Sequence, residues 1–411
     1  MVRKIKIFPR GQGRPTLITF KFPLNECSLM RRGFAELPLH GGHVPRWLAQ
    51  RMRKLTALVL KLAVDEYGTK GLLERLSDPV WFQALNNVIG MDWDSSGSTT
   101  VTAGMIKDVL WKEELGIKAA GGKGKKSRAT PEELKTIAEL YELNFESYVK
   151  TSRLVAKVDT VALQTGYQLY HHMFFLDEEG NWAVVQQGMN ERERLARRFH
   201  WFDSETFTLD PHKAISGLKR EFVLNTVSKE SRGYQKTLID IVQEKPTKIE
   251  RELESLKALA RGYRPLVYYK PRDVDEVSLI KRYESFGRLE LNKRALNLAR
   301  ELSVSNYEDL LLLKGLGPST LRALSLVLEL IYDVHPSWKD PVTHPPDPFK
   351  YAYAVGGKDR VPFPIEKGAY DELINFLEKL VEKNPEEKAL VKNVTKITKN
   401  WTFPEEEKRA T

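Results

Sequence analysis

The chain has 411 residues, 41% of them hydrophobic, which allows two or three globular domains. It excludes several classes: no apolar run reaches the ~20 residues that cross a bilayer, and one cysteine, Cys27, permits neither an internal disulfide nor a cysteine-built zinc site. Lys and Arg number 65 against 55 Asp and Glu, so the net charge is +10, which favours a polyanionic partner and nucleic acid above all.

Met1-Val-Arg-Lys-Ile-Lys6 lacks the apolar core of a signal peptide, so a cytoplasmic location is expected. The surplus of Glu and Lys with so little Cys fits a thermophile. Residues 3–24, with Pro15, Pro23 and several β-branched residues, predict one or two short strands. His40 and His43 sit in a glycine-rich loop, as metal ligands, proton carriers or plain loop hydrogen bonders. Pro45 opens a helix made amphipathic by Trp47, Leu48, Met52, Leu55, Leu58, Val59 and Leu62, and Gly68 ends it. Asp78-Pro79 starts another that closes near Gly90. Asp92 and Asp94 follow on a Gly/Ser turn, either as oxygen ligands for magnesium or manganese or as an Asx turn.

Gly121 to Arg128 is basic and interrupted by glycine. It predicts a flexible loop whose Lys123, Lys125 and Lys126 either lie along a phosphate backbone or are simply solvated. Thr130-Pro-Glu-Glu133 reads as a capping box before a long helix. Tyr167 to Leu176, a turn at Asp177–Asn181, and Trp182 to Gln187 read as a β-hairpin. Alternation sends His171 and His172 to opposite faces, and Gln186 and Gln187 likewise. Asp159, Gln164 and Gln168 approach from just upstream. Polar groups on apolar strands need partners, so Asp159, Gln168, His171, His172, Gln186 and Gln187 form either a structural network or a catalytic centre. After Gly188 an arginine-rich helix is expected, making an anion site with Arg192, Arg194, Arg197 and Arg198. Short strands are expected over 203–230, and a solvated helix or connector over 235–265.

Ser305 and Glu308 read as a capping box opening a helix at Asn306 that ends in Leu310–Leu313. Lys314-Gly315-Leu316-Gly317 forms a tight turn, and Pro318 begins a second helix reaching about Tyr332. The free N–H groups and positive dipole end of that helix suit a phosphate. This stretch resembles the helix-hairpin-helix family, whose members bind the DNA backbone without reading sequence. The resemblance implies contacts from Lys314, Gly315, Gly317, Ser319 and Thr320. Gly356-Gly357-Lys358 offers a further phosphate approach.

A second resemblance spans nearly the whole chain. Pro38-Leu-His-Gly-Gly42, Pro45-x-Trp47-Leu48, Ser77-Asp-Pro79-x-Trp81-Phe-Gln-Ala-Leu85 and Ala120-Gly-Gly-Lys-Gly-Lys125 are similar to a family of archaeal and bacterial proteins known as domain of unknown function family 763. Gly166 to His172, Val185 to Asn190, and Gly356 to Asp359 carry it further. It implies no catalytic assignment.

These readings predict an α+β fold: an α-rich multidomain chain with a central antiparallel β-hairpin or sheet. The expected divisions are 1–130, 131–290, a helix-hairpin-helix domain at 291–385, and a charged tail at 386–411. The function expected is a DNA-repair enzyme cutting the backbone with magnesium or manganese, for which Asp92, Asp94, Asp159, Asp340 and Asp359 are the candidate carboxylates. A monofunctional DNA glycosylase and a non-catalytic architectural protein are the alternatives. Ser319 stands where bifunctional glycosylases of this type carry a lysine, which disfavours a Schiff base there.

Overall fold

The computed structural model describes residues 44–91, 96–262, 276–344 and 367–382, together with two short N-terminal strands. Those strands, β1 (Ile5–Lys6) and β2 (Leu17–Ile18), pair antiparallel within a unit spanning Met1–Phe34. The second unit, Ala35–Thr411, carries everything that follows.

Three helices come first: α1 (Arg46–Leu76), α2 (Pro79–Val88) and α3 (Ser96–Leu110). Gly68 leaves helical geometry at φ 70° and breaks α1 where the sequence places its end. The Asp78 carboxylate caps α2 by accepting from the N–H groups of Val80 and Trp81. Next come β3 (Ile117–Lys123), α4 (Thr130–Leu140) and α5 (Phe145–Lys157), then one π-helical turn at Val158–Ala162. The strands β4 (Leu163–Gln164), β5 (Gln168–Asp177), β6 (Trp182–Asn190), β7 (Leu195–Phe202), β8 (Ala214–Ser216) and β9 (Leu224–Asn225) follow. The remainder is helical: α6 (Arg232–Val242), α7 (Pro246–Ala260), α8 (Glu276–Ser285), α9 (Lys293–Glu301), α10 (Tyr307–Leu312), α11 (Pro318–Ile331) and α12 (Lys367–Glu382). No described helix is long and apolar enough to cross a membrane.

The described strands build an α+β fold around a five-stranded antiparallel sheet in the order β3-β5-β6-β7-β8. Both faces are apolar, so both need helices. Phe174, Leu176, Val184, Phe199 and Trp201 face one core with α4, α5 and the helices α6 to α11. Met173, Phe175, Ala183 and Val185 face the other, with α1, α2, α3 and α12. Because β3 pairs with β5, the division expected at residue 130 runs through the sheet.

The outer edge of β3 is closed by side chains. The Trp111 indole donates to the Ala119 carbonyl, Glu133 accepts from the Gly121 N–H, and Lys107 donates to the Gly121 carbonyl. A C-terminal strap, Ser337–His344, crosses the other side. Its Asp340 pairs with Arg197 at 2.7 Å, both side chains fully buried, and its Ser337 and His344 bridge to Asn225 and Ser216.

Several expectations change here. The stretch after Gly188 is not a helix: β6 runs on to Asn190, a turn covers 191–194, and β7 follows. The deciding pattern is the alternation of Phe199 and Trp201 with Arg198 and His200, a period of two that the arginines obscured. The basic stretch from Gly121 is ordered as the end of β3 and a 3₁₀ turn over Gly124–Ala129. Gly121 lies at φ +103°, and a Cβ there would stand 2.2 Å from the His172 carbonyl oxygen, so glycine is what lets β3 close on β5. Thr130 and Glu133 form no capping box, since Thr130 donates to the Ser127 carbonyl and Glu133 serves Gly121 and Lys107. Asn306, not Ser305, caps α10. Over 235–262, where a solvated helix or connector is expected, α6 and α7 are helices packed into the core rather than solvated, with Leu238, Ile249, Leu253 and Leu256 buried.

Candidate nucleic-acid interface

The six candidates for catalysis separate into two networks and one outlier. Gln168 is exposed at the first position of β5 and joins neither. On one face a relay begins at Asp159, held by the π-helical turn. Its Oδ2 accepts from the Trp201 indole at 3.0 Å and from Gln186 Nε2. Gln186 Oε1 therefore accepts from His172 Nδ1 at 2.7 Å, and His172 Nε2 accepts from the Ser152 hydroxyl at 2.9 Å. Asp159 Oδ1 pairs with His212 Nε2 at 2.5 Å, and the His212 ring lies 4.4 Å from the Trp201 ring. Burial holds the His172 pKa below its ordinary value. Both its nitrogens are committed, so it has no lone pair left for a substrate proton.

The second network lies on the opposite face, as the alternation requires. Lys123, His171, Gln187 and Arg198 stand in one row across the sheet. Gln187 accepts from the Thr99 hydroxyl and donates to the Tyr170 hydroxyl. Arg198 donates to Thr99 at 2.8 Å and Ser98 at 3.1 Å, over the Phe82 ring. His171 is fully buried, and neither ring nitrogen has a hydrogen-bond partner among the described residues. Burial, with His172, Arg198 and Lys123 nearby, pushes its pKa down to about 3.

The turn between α10 and α11 is built differently. Gly315 adopts φ +91°, where a Cβ would come 2.8 Å from the Asn292 amide. Gly317 is extended at φ −121°, with nothing within 4 Å of where a Cβ would stand. Its use is open space rather than an unusual angle. The turn's carbonyls are taken up by side chains: Lys157 donates to Leu316 at 2.6 Å and Gln164 to Pro318 at 3.0 Å from the protein side, and Asn292 donates to Gly315 at the surface. Burial lowers the Lys157 pKa. The N–H side is treated oppositely. No side chain caps α11, and Pro318 has no N–H, so the first-turn donors of Ser319 and Thr320 have no intrahelical acceptor. The hydroxyls expected to touch phosphate are used internally: Ser319 donates to the Arg288 carbonyl, and Thr320 accepts from the Asn292 N–H.

A groove of about 610 Å³ opens on this turn, lined among others by Gly315, Gly317, Ser319, Lys293, Arg294 and Glu290. The N-terminus of α9 faces it as well, capped by Asn292. Lys293 is shared with Glu250 at 2.8 Å. Arg322 lies buried at the groove wall, donating to Gln164 and to the Phe286 carbonyl, and burial lowers its pKa to about 10. The other basic candidates are exposed: Lys123 ends β3, Lys125 and Lys126 lie on the 3₁₀ turn, and Arg192 and Arg194 on the β6–β7 turn. Arg197 and Arg198, expected beside them, are buried on opposite faces of the sheet.

A family model described as protein of unknown function (DUF763) matches residues 33–365. The chain belongs to the DUF763 family. No curated protein and no solved structure matches it. In this DUF763 chain the stretches around Gln83, Gly121, His171 and Gln186, separate in sequence, meet at one end of the sheet. Asp92, Asp94, His40, His43, Lys358 and Asp359 lie outside the described residues. Ser152, Trp201 and His212 belong to the relay and were not legible as members. The aromatic-rich period of β7 is the signal that points to Trp201, whereas Ser152 and His212 carry none.

Proposed function

We propose that this DUF763 chain binds DNA by its sugar–phosphate backbone, with α10, the Leu313–Gly317 turn and α11 acting as a helix-hairpin-helix. The observation that carries this reading is the polarity of the turn. Its carbonyls at Gly315, Leu316 and Pro318 all accept from side chains of the same chain, while the uncapped first turn of α11 lines an open groove. Such a surface suits an anion, and phosphate contacts position a protein without reading bases. The +10 net charge supports the same partner.

Backbone cleavage by a metal-dependent repair nuclease is the further step proposed for this family member, with magnesium or manganese. Two of its candidate carboxylates do not suit a metal. Asp159 already serves Gln186, Trp201 and His212, and Asp340 is locked to Arg197. Among the described residues no three His, Cys, Asp or Glu side chains come together as ligands.

The test is one incubation series. Labelled single-stranded, duplex and damaged DNA is mixed with the protein in magnesium, manganese or EDTA, over a salt titration. Shifted DNA whose affinity falls steeply with salt supports backbone binding through counterion release. An affinity that does not change with salt overturns it. Metal-dependent cutting supports the nuclease, and alkali-sensitive sites without metal support a glycosylase.

A further inference from the structure

The helix α5 leads straight to the proposed DNA grip. Its last residue, Lys157, holds the Leu316 carbonyl of the turn. Its other end forms a second groove against Leu312, the last residue of α10. This groove, about 360 Å³, is lined by Phe145, Glu146, Val149, Lys150, Arg153 and Leu312. The size falls at the lower end of small-ligand sites.

The chemistry of this groove differs from that of the first. Phe145 is 37% exposed, and its ring forms part of an apolar wall with Val149 and Leu312. Lys135 stands over the ring at 5.6 Å. Lys150 is shared with Asp309 at 3.7 Å, and Arg153 has no ion pair among the described residues. Glu146 and Asp309 are thus set against three cations, Lys135, Lys150 and Arg153. A duplex offers phosphates to such a surface but keeps its base faces stacked. An unpaired base exposes a π-face that an aromatic side chain can cover, while cations follow its backbone. From Phe145 to Lys157 the helix spans about 18 Å, or about five nucleotides at the spacing of a duplex strand.

We propose that the Phe145–Leu312 groove takes an unpaired nucleobase of the strand whose phosphates lie at the Gly315–Gly317 turn, so that the protein prefers DNA with a single-stranded arm. This inference rests on the backbone-binding reading above.

The test compares a blunt duplex with the same duplex carrying a short single-stranded arm that contains 2-aminopurine. Wild type, Phe145→Ala, Phe145→Leu and Gly317→Val are titrated by fluorescence anisotropy. Wild type prefers the armed duplex and quenches the 2-aminopurine. Phe145→Ala and Phe145→Leu bind the armed duplex roughly 5- to 150-fold more weakly, the span that ~1–3 kcal/mol of one base–aromatic stack gives, and bind the blunt duplex as wild type does. Gly317→Val weakens both. If wild type binds both duplexes equally, or folded Phe145→Ala matches wild type on the armed duplex, the groove takes no base and this inference fails alone. If wild type binds neither DNA, the backbone-binding reading fails and takes this one with it.

Discussion

His171 makes the protein acid-sensitive in a way that one substitution can isolate. It is fully buried, its ring has no hydrogen-bond partner among the described residues, and its pKa is held near 3 against an unfolded value near 6.5. The unfolded chain therefore takes up this proton first, and stability falls as pH drops below about 6.5, levelling off only near 3. The slope is about 1.4 kcal/mol per pH unit, so between pH 7.5 and pH 5 this residue alone costs about 2 kcal/mol. His172 and His200 are also held below their ordinary values by burial and add loss in the same direction. Leucine at 171 leaves no described partner unsatisfied, so the variant should fold. Urea unfolding of wild type and His171→Leu at both pH values measures the difference. The variant should lose about 2 kcal/mol less than wild type on acidification. Equal losses in the two proteins would refute a buried, neutral His171.

Gly121→Ala should cost about 2–4 kcal/mol, because the new Cβ meets the His172 carbonyl at 2.2 Å in a backbone region that disfavours side chains, and thermal unfolding reads it. Asp340→Asn leaves Arg197 buried without its carboxylate and should cost about 3–5 kcal/mol in denaturant unfolding. Gly317→Val should keep the fold, since the position is extended and open, yet weaken DNA binding more than Lys314→Ala; equal affinities for wild type and folded Gly317→Val would make the turn structural only. Gln186→Ala removes one donor to Asp159 and the acceptor for His172, and should cost about 1–3 kcal/mol; full stability with lost turnover would instead place the reacting centre in this relay.

Local signals in the sequence reached the α5–β5 neighbourhood and the α10–α11 turn because both rest on short-range chemistry. Gly68 breaks a helix, Asp78 caps one, and the alternation from His171 to Gln187 separates two faces wherever the chain goes. What was not legible depends on residues far apart. Nothing near Arg197 announces that Asp340 neutralises it, and without that partner an arginine-rich stretch reads as a surface helix. Ser319 and Thr320 look available to a phosphate until Arg288 and Asn292 are seen to occupy them. Glu133 likewise suits a capping box until Gly121 and Lys107 claim it.

The Arg197–Asp340 pair also bears on how the chain is made. Synthesis runs from the N-terminus, so β5, β6 and β7 leave the ribosome well before residue 340 does. Until then the Arg197 guanidinium has no carboxylate to neutralise it, which disfavours packing β7 down around it. The sheet therefore has reason to stay open during translation, and to close when the strap arrives with Ser337 and His344 to dock beside it. A nascent chain or a truncation that stops before Asp340 should remain protease-sensitive across β7, however complete its strands are. The helices α10 and α11 emerge in that same interval, so the proposed DNA grip and the sheet behind it would mature together rather than one after the other.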